Sequence, residues 1–273
     1  MSEVPRLNLD ELLLEISLTT KRHIIVEGPT DRRFFRAWAD DLDARDRVVV
    51  TSVEDIEIDT DWLFEVGLND GNRSLVLLVA HRASSITSNV RCIADRDCGH
   101  GIDAFDYEVL MWTDFPALES YAIDAAVMDR ANLLSFAGRL PSAAILLPPL
   151  GFALRELFAV RAKHEHLPRP KYDAGFKNKT RRFEDFRVEL TVDVSIRSET
   201  PSYPRPQSTD PREHAYGHDV AELLLAVHGN ALKNQAGLAT REAVEGALRS
   251  AMQVVGTYKS ERLFRELEAW IAA

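Results

Sequence analysis

The fold is decided in residues 23–38, which read HIIVEGPTDRRFFRAW. Residues 23–26 form an apolar run rich in β-branched side chains, as expected for a buried strand. Glu27 and Gly28 close this run, and Thr30 can cap a helix whose aromatic residues follow at helical spacing. The stretch therefore predicts a strand, a tight turn and a helix.

The same alternation continues on both sides of this stretch. The further expected elements are a leading helix after the capping pair Asn8 and Glu11, strands at 48–53, 90–94 and 108–112, and helices at 75–86 and from Pro116. Each strand is an almost unbroken hydrophobic run. Strands of this kind that alternate with helices favour a parallel sheet with helices on both faces. The fold class is therefore α/β, with a first domain at 1–130.

Longer helical stretches dominate the remaining region, 131–273. The expected helices are 131–136, 151–163, 219–228, 240–254 and 260–272, with a break at Pro148 and Pro149 and caps at Thr240 and Ser260. Residues 166–216 hold most of the remaining prolines, many basic residues and a strand candidate at 186–196. We interpret this region as mostly helical, with a basic, proline-rich insert at 166–216.

The composition excludes several classes of protein. The 273 residues are 45% hydrophobic and 28% charged, which is ordinary for a globular protein. Continuous apolar runs such as 75–80 and 143–150 are shorter than the roughly 20 residues of a membrane span. The N-terminal residues lack the basic and long apolar segments of a secretory signal. We therefore expect a soluble, cytoplasmic protein with no membrane partner.

The net charge and the two cysteines give expectations about polyanion binding, the state of the thiols and metal binding. The net charge of -10 argues against indiscriminate binding to polyanions, although it leaves room for a local basic patch. Cys92 and Cys98 are the only cysteines, and we expect both to be reduced. Cys98 and His100 would form half of a zinc site, but no second pair of ligands accompanies them, so ordinary packing is favoured.

Acidic residues stand where the predicted strands end. Glu27 follows the first strand, Asp95 and Asp97 follow the strand at 90–94, and Glu119 comes early in the helix after the last strand. Ligands of open parallel sheets bind beyond the carboxyl ends of the strands, so these carboxylates are expected to converge. The spacing of Asp95 and Asp97 points both to the same face if the chain stays extended.

These acids predict a site for one or two Mg²⁺ ions, or Mn²⁺. Asp31 lies in the first helical turn after Gly28, close enough along the chain to share a cation with Glu27. Mg²⁺ prefers carboxylate and water oxygens, and it can polarise a phosphate and activate water. Each acid also has an ordinary interpretation as a helix-dipole partner, a turn residue or a surface acid. Their joint register with the strand ends favours the metal site.

The acidic motifs resemble those of the Toprim superfamily. They are IIVEGPTD at 24–31 and ADRD at 94–97. With WTDFPALESY at 112–121 and GHD at 217–219, the chain resembles a narrower group of standalone Toprim-like proteins. These are effector nucleases that act beside ABC-type ATPases in anti-phage systems of the PARIS kind, and they are related to OLD-type nucleases. The resemblance covers residues 20–230 and rests on short motifs.

The resemblance implies a Toprim core and Mg²⁺-dependent cleavage of phosphodiester bonds in nucleic acid, with RNA, and tRNA among RNAs, favoured over DNA. It implies catalytic roles for Glu27, Asp95 and Asp97. These three residues, with Asp31 and Glu119, are also the implied metal ligands. The implied partner is an ABC-type ATPase that restrains a toxic effector, and a homodimer is left open. OLD-type nucleases also use a basic residue near the scissile phosphate, and spacing assigns no lysine of this chain to that role.

Other functions stay open beside the restrained nuclease. A Toprim nuclease of RNA maturation is one, whereas a topoisomerase would need a nucleophilic tyrosine domain and a primase would need nucleotide-binding machinery. A catalytically degenerate Toprim domain that only binds is another. No GxxxxGK[ST] segment occurs, so the chain is not itself a P-loop ATPase.

A basic segment between Arg161 and Arg187 is the predicted nucleic-acid contact. The predicted contact residues are Lys171, Lys177, Lys179, Arg181 and Arg182. The aromatic residues interleaved with them are Tyr172, Phe176, Phe183 and Phe186. These rings either stack on unpaired bases or pack inward beneath a solvated basic loop, and both alternatives stay open.

Two further features lie in the helical region. At Gly217-His218-Asp219, an aspartate helix cap with a buried histidine is favoured over direct catalysis. A set of large apolar residues either docks a partner or fills the protein's own core, and the core is favoured. The set comprises residues 223–225, Leu263, Leu267 and Trp270.

Overall fold

A computed structural model of the chain describes residues 7–176 and 181–273. The described strands are β1 (Leu7–Asn8), β2 (Arg22–Val26), β3 (Val48–Ser52), β4 (Ile56–Glu57), β5 (Val90–Ala94) and β6 (Leu110–Trp112). The described α-helices are α1 (Leu9–Leu18), α2 (Pro29–Asp41), α3 (Asp61–Glu65), α4 (Asn72–Ala83), α5 (Ala125–Leu134), α6 (Ala143–Arg161), α7 (Val194–Arg197), α8 (Gly217–Gly229), α9 (Arg241–Val255) and α10 (Arg262–Ala272).

The chain divides into two compact units. The first unit consists of residues up to 95, 101–114 and 259–273, and the second of residues 96–100 and 115–258. This division differs from the boundary expected at residue 130. The last helix, α10, belongs to the first unit, and the segment that follows β6 belongs to the second.

The main sheet of the first unit is parallel and has four strands in the order β3-β2-β5-β6. All four lie within two residues of the predicted strands, so the α/β class and the parallel sheet are confirmed. Ile25 of β2 packs in a core cluster with residues of α1 and α4. Ile24 and Val26 are also buried but lie outside that cluster. Because neighbouring side chains of a strand point to opposite faces, both faces of β2 are covered.

Aromatic contacts explain why α10 belongs with the first unit. The ring of Phe264 stacks on Phe35 of α2, with centroids 5.7 Å apart, and meets Trp38 edge-on at 5.8 Å. The backbone N–H of Leu263 donates to Asp114 Oδ2 at 3.2 Å, so an acid after β6 caps this helix. The predicted cap at Ser260 is therefore wrong, because the start of α10 is set by a residue distant in sequence.

The second unit is mostly helical, and several of its elements differ from the sequence expectation. The helix expected from Pro116 is a 3-10 turn at Leu118–Ala122, and α5 begins only after Asp124, whose side chain accepts from the N–H of Val127 at 3.1 Å. No residue in 186–196 belongs to a strand; that stretch forms a 3-10 turn and the short α7.

The predicted break at Pro148 and Pro149 is also wrong, because α6 runs through both residues. An interior proline removes a helical hydrogen bond and costs roughly 3 kcal/mol in an exposed helix. Burial of Leu150, Leu154 and Leu157, all with no solvent exposure, offsets that loss.

By length and composition, α6 is the one helix among the described residues that is apolar enough to cross a membrane. Its fully buried leucines belong to the core of the second unit. Four of the apolar residues predicted to fill the core have no solvent exposure: Leu223, Leu224, Leu263 and Leu267. Leu225 is 9% exposed, and Trp270 is half-buried.

Candidate active site

The strand order of the first unit contains a reversal between β2 and β5. From β2 the chain passes through α2 to β3 on one side, and later returns through α4 to β5 on the other side. Such a reversal is a topological switch point, and ligands of open parallel sheets bind there, beyond the carboxyl ends of the strands. Glu27 directly follows β2 and Asp95 directly follows β5. The two acids therefore lie at the position where this fold class binds ligands.

Hydrogen bonds join the carboxyl ends of three neighbouring strands, β3, β2 and β5. The backbone N–H of Asp95 donates to Glu27 Oε1 at 2.9 Å, across 68 residues of sequence. The hydroxyl of Ser52, the last residue of β3, donates to the backbone carbonyl of Glu27 at 3.3 Å. Both Glu27 and Asp95 are half-buried. The side chain of Glu27 is thus directed toward the end of β5.

Asp31, another of the predicted site acids, contacts the turn between β2 and α2. Gly28 precedes α2, and its N–H donates to Asp31 Oδ2 at 3.2 Å. Asp31 lies in the first turn of the helix, where a carboxylate also complements the helix dipole. This contact agrees with the ordinary interpretation of Asp31, and its role as a metal ligand stays a prediction.

The backbone at Asp97 differs from the extended chain that we expected. Asp97 has a φ of 50° in the left-handed region, which aspartate tolerates better than most residues. Its N–H donates to the carbonyl of Pro116 at 2.8 Å within the second unit. The alternation argument that pointed Asp95 and Asp97 to one face is therefore wrong, because the chain turns at Asp97. A metal or catalytic role for Asp97 stays a prediction.

Glu119 lies in the core of the second unit, where it pairs with a cation. Glu119 is 4% exposed, and its side chain forms an ion pair with Arg249 of α9. A β-carbon placed on Gly217 would lie only 2.5 Å from Glu119 Oε2. This contact gives the glycine of the GHD motif a packing role. The ion pair with Arg249 gives Glu119 a structural role. Metal binding by Glu119 stays a prediction.

The acids of the first unit suit Mg²⁺ by their chemistry. Among the residues that the structure describes, no group of three or more His, Cys, Asp or Glu side chains is arranged to hold a metal. Mg²⁺ usually keeps several waters and binds through one or two carboxylates. Glu27 and Asp95 can supply such a pair, so the donor type fits Mg²⁺ while the number of protein ligands is small.

A buried polar cluster surrounds the GHD motif in the second unit. Asp219 is 1% exposed and accepts two hydrogen bonds from Arg161, each 2.7 Å long, and one from the hydroxyl of Tyr172. The side chain of His218 is half exposed, with Nδ1 3.0 Å from Oε1 of Glu245. The predicted aspartate cap with a buried histidine is therefore wrong.

Charge and burial within this cluster shift its pKa values. Burial alone would lower the pKa of Arg161, but hydrogen bonds and the charge of Asp219 outweigh it, so this pKa is raised. Burial raises the pKa of Tyr172, and the Asp219 carboxylate raises it further. Burial, followed by the charge of Asp97, also raises the pKa of Tyr216, whose ring lies 4.2 Å below the Arg161 guanidinium. No sequence pattern links Arg161 to Asp219, and Arg161 stands at the start of the basic segment, so this cluster was not predicted.

In the basic segment, the structure favours the inward-packing alternative. The aromatic rings are all buried, with exposures of 7% or less: Tyr172, Phe176, Phe183 and Phe186. They are not available to stack on bases, so the stacking alternative is excluded.

The predicted cationic contacts differ among themselves. Arg181 pairs with Asp173 at 2.5 Å and Arg182 with Asp185 at 3.1 Å. Lys171 is exposed, with no carboxylate within ion-pair distance among the described residues. Lys177 and Lys179 lie outside the described residues.

Neither Cys92 nor Cys98 forms a disulfide with another described residue. Cys92 is fully buried in β5, and burial raises the pKa of its thiol well above the usual range. His100 Nε2 lies 3.1 Å from the carbonyl of Ala162. In the described part of the chain, Cys98 and His100 belong to no group of three potential metal ligands.

Comparison of the chain with protein-family models and with curated proteins gives no match. The functional assignment therefore rests on the residues themselves and on their geometry.

Proposed function

We propose that this protein is a metal-dependent nuclease that cleaves phosphodiester bonds in nucleic acid, with RNA, and tRNA among RNAs, favoured over DNA. The observation that carries the proposal is the contact between Glu27 and the N–H of Asp95 at the switch point between β2 and β5. The Toprim-like motifs on these same strand ends support it, since the resemblance implies that both acids hold Mg²⁺.

Each residue has a defined part in this proposal. Glu27 and Asp95 would hold Mg²⁺, or Mn²⁺, with Asp31 as a further ligand or acid/base group. The ion, when bound, would polarise the phosphate and activate water. The N–H of Asp95 orients the Glu27 carboxylate, because a fixed donor limits the positions that the carboxylate can take.

The test replaces each acid by its amide, which removes the charge and keeps the shape. Glu27→Gln and Asp95→Asn are each expected to lower Mg²⁺-dependent cleavage of RNA by at least about 100-fold without changing the unfolding temperature. Glu65→Gln and Asp46→Asn are matched controls, because both acids are exposed in the first unit. Equal cleavage by wild type and both active-site variants at saturating Mg²⁺ would contradict the assignment.

We also propose that the nuclease is a cytoplasmic toxic effector of anti-phage defence, held inactive by an ABC-type ATPase. This part rests on the resemblance to PARIS-like effectors. Co-expression with an ATPase encoded by a neighbouring gene should lower toxicity and give co-purification. If neither happens, the restraint part fails, and a neighbouring set of RNA-processing genes would instead favour RNA maturation.

A catalytically degenerate Toprim domain that only binds is the second candidate. The observation in its favour is that the described residues contain no group of three potential metal ligands. Mg²⁺ binding by the wild type with no cleavage of any RNA or DNA would favour this candidate.

A further inference from the structure

The second unit contains a cavity of about 820 Å³ that none of the acidic motifs lines. Its walls come from residues 169–174, from α8 and from the start of α9 with the two residues before it. Arg181 and Lys233 complete the lining. Cavities of roughly 300 to 1,000 Å³ are typical of small-molecule sites. The cavity is therefore large enough for an organic ligand of nucleotide size.

Positive charge exceeds negative charge in this cavity. Its cationic side chains are Arg169, Lys171, Arg181, Lys233 and Arg241, and its carboxylates are Asp173, Glu222 and Glu242. Each of the three arginines pairs with one of the three carboxylates. Lys171 and Lys233 are exposed, and no carboxylate among the described residues lies within ion-pair distance of either one. The cavity thus carries two uncompensated positive charges in a chain whose net charge is -10.

The paired arginines form part of the cavity wall. Arg181 also donates to the backbone carbonyl of Ala226 at 3.1 Å, which ties the segment after residue 180 to α8. The carboxylate of Glu242 lies in the first turn of α9, where backbone and Thr240 hydrogen bonds lower its pKa. Glu242 already supplies negative charge at that helix end, so the two lysines are the groups left to bind an anion.

An apolar part of the wall accompanies these charges. It is formed by Pro170, Leu225, Ala226 and Ala239. A cavity that offers both separate cations and apolar surface suits a phosphate ester that carries a flat ring better than it suits inorganic phosphate.

We propose that this cavity binds the phosphate of a nucleotide, with Lys171 and Lys233 as the charged contacts and the apolar wall beside the base. The nucleotide is either free or part of a single strand of nucleic acid, because both present the same phosphate ester. The proposal does not rest on cleavage at the acidic site. A Glu27→Gln background allows binding to be measured without any cleavage that wild type performs.

The test compares Lys171→Gln/Lys233→Gln with Lys21→Gln/Lys163→Gln, both in the full-length Glu27→Gln protein. Lys21 and Lys163 are exposed and do not line the cavity, so the control makes the same change in net charge. Calorimetry measures binding of adenosine monophosphate, and fluorescence anisotropy measures binding of a labelled single-stranded RNA over a range of salt concentrations.

The cavity double variant should weaken binding by at least about tenfold, while the control double variant should not. If the ligand is a single strand, the slope of log affinity against log salt should also fall by about 1.4, from two lost phosphate contacts. Loss of mononucleotide binding identifies a free nucleotide as ligand, and loss of RNA binding alone identifies a strand. No binding of either ligand, or equal loss in both double variants, would overturn the proposal.

Discussion

Replacement of Asp219 by asparagine should strongly destabilise the second unit. Asp219 and Arg161 have side-chain exposures of 1% and 12%, and two hydrogen bonds of 2.7 Å join them. Asp219→Asn keeps the shape but removes the negative charge, so the Arg161 guanidinium is left buried without a counter-charge. The hydroxyl of Tyr172 also loses a charged acceptor.

Removal of one partner of a buried ion pair costs about 3 to 5 kcal/mol. At about 2 to 4 °C per kcal/mol for a unit of this size, the unfolding temperature should fall by roughly 6 to 20 °C. Replacement of both partners, as in Arg161→Met/Asp219→Leu, should cost less than either single change, because no unpaired charge stays buried. The control is Glu266→Gln, which removes the exposed pair with Arg262 and should cost less than about 0.5 kcal/mol.

Two optical probes make the measurement specific to one unit. All four tryptophans lie in the first unit, at positions 38, 62, 112 and 270. Thermal unfolding followed by circular dichroism should show the loss in Asp219→Asn, whereas tryptophan fluorescence should report a smaller shift. If Asp219→Asn costs no more than Glu266→Gln, or if the double variant loses as much as the two single variants together, the reasoning is refuted.

Three other changes test local features. His23 is 1% exposed with no partner for either ring nitrogen among the described residues, so His23→Leu should stabilise the protein by about 1 to 3 kcal/mol in urea denaturation. Burial lowers the pKa of His23 from 6.5, so the stability of the wild type should decline as the pH falls below 6.5. The stability of His23→Leu should decline less over the same pH range, and equal declines would contradict this prediction. Gly217→Ala should destabilise the protein by about 1 to 3 kcal/mol, because the added β-carbon meets Glu119. The control is Gly246→Ala in α9, which has open space around it and should stabilise the protein by up to about 1 kcal/mol. Similar melting temperatures for the two variants would contradict this reasoning. Asp114→Ala should cost about 0.5 to 2 kcal/mol through the lost cap of α10, and unchanged stability would exclude that cap.

Sequence reasoning worked best where the structure depends on neighbouring residues. The capping pair of Asn8 and Glu11 is present in both directions, at 2.9 and 3.1 Å, because its geometry spans only three residues. The buried strands were also predicted well, since an unbroken apolar run suits a strand covered on both faces. Local patterns failed at Pro148 and at Asp97, where packing or a turn overrides what the residue type alone favours.

The candidate site was predicted only in part. The sequence placed acids at strand ends, but adjacency of β2 and β5 follows from the strand order, which depends on contacts between distant segments. No sequence pattern predicts the cavity or brings its two lysines together. Lys171 and Lys233 are far apart along the chain and belong to different segments of the structure.

The sequence by itself determined the alternation of strands and helices and the position of Glu27 and Asp95 after two strands, because hydrophobic period and turn residues act over a few positions. Only the tertiary structure decided that β5 lies beside β2, that α10 packs on α2, and that Arg161 pairs with Asp219. The physical reason is separation along the chain. Arg161 and Asp219 are 58 residues apart, and no local pattern specifies which distant partner a buried charge will find.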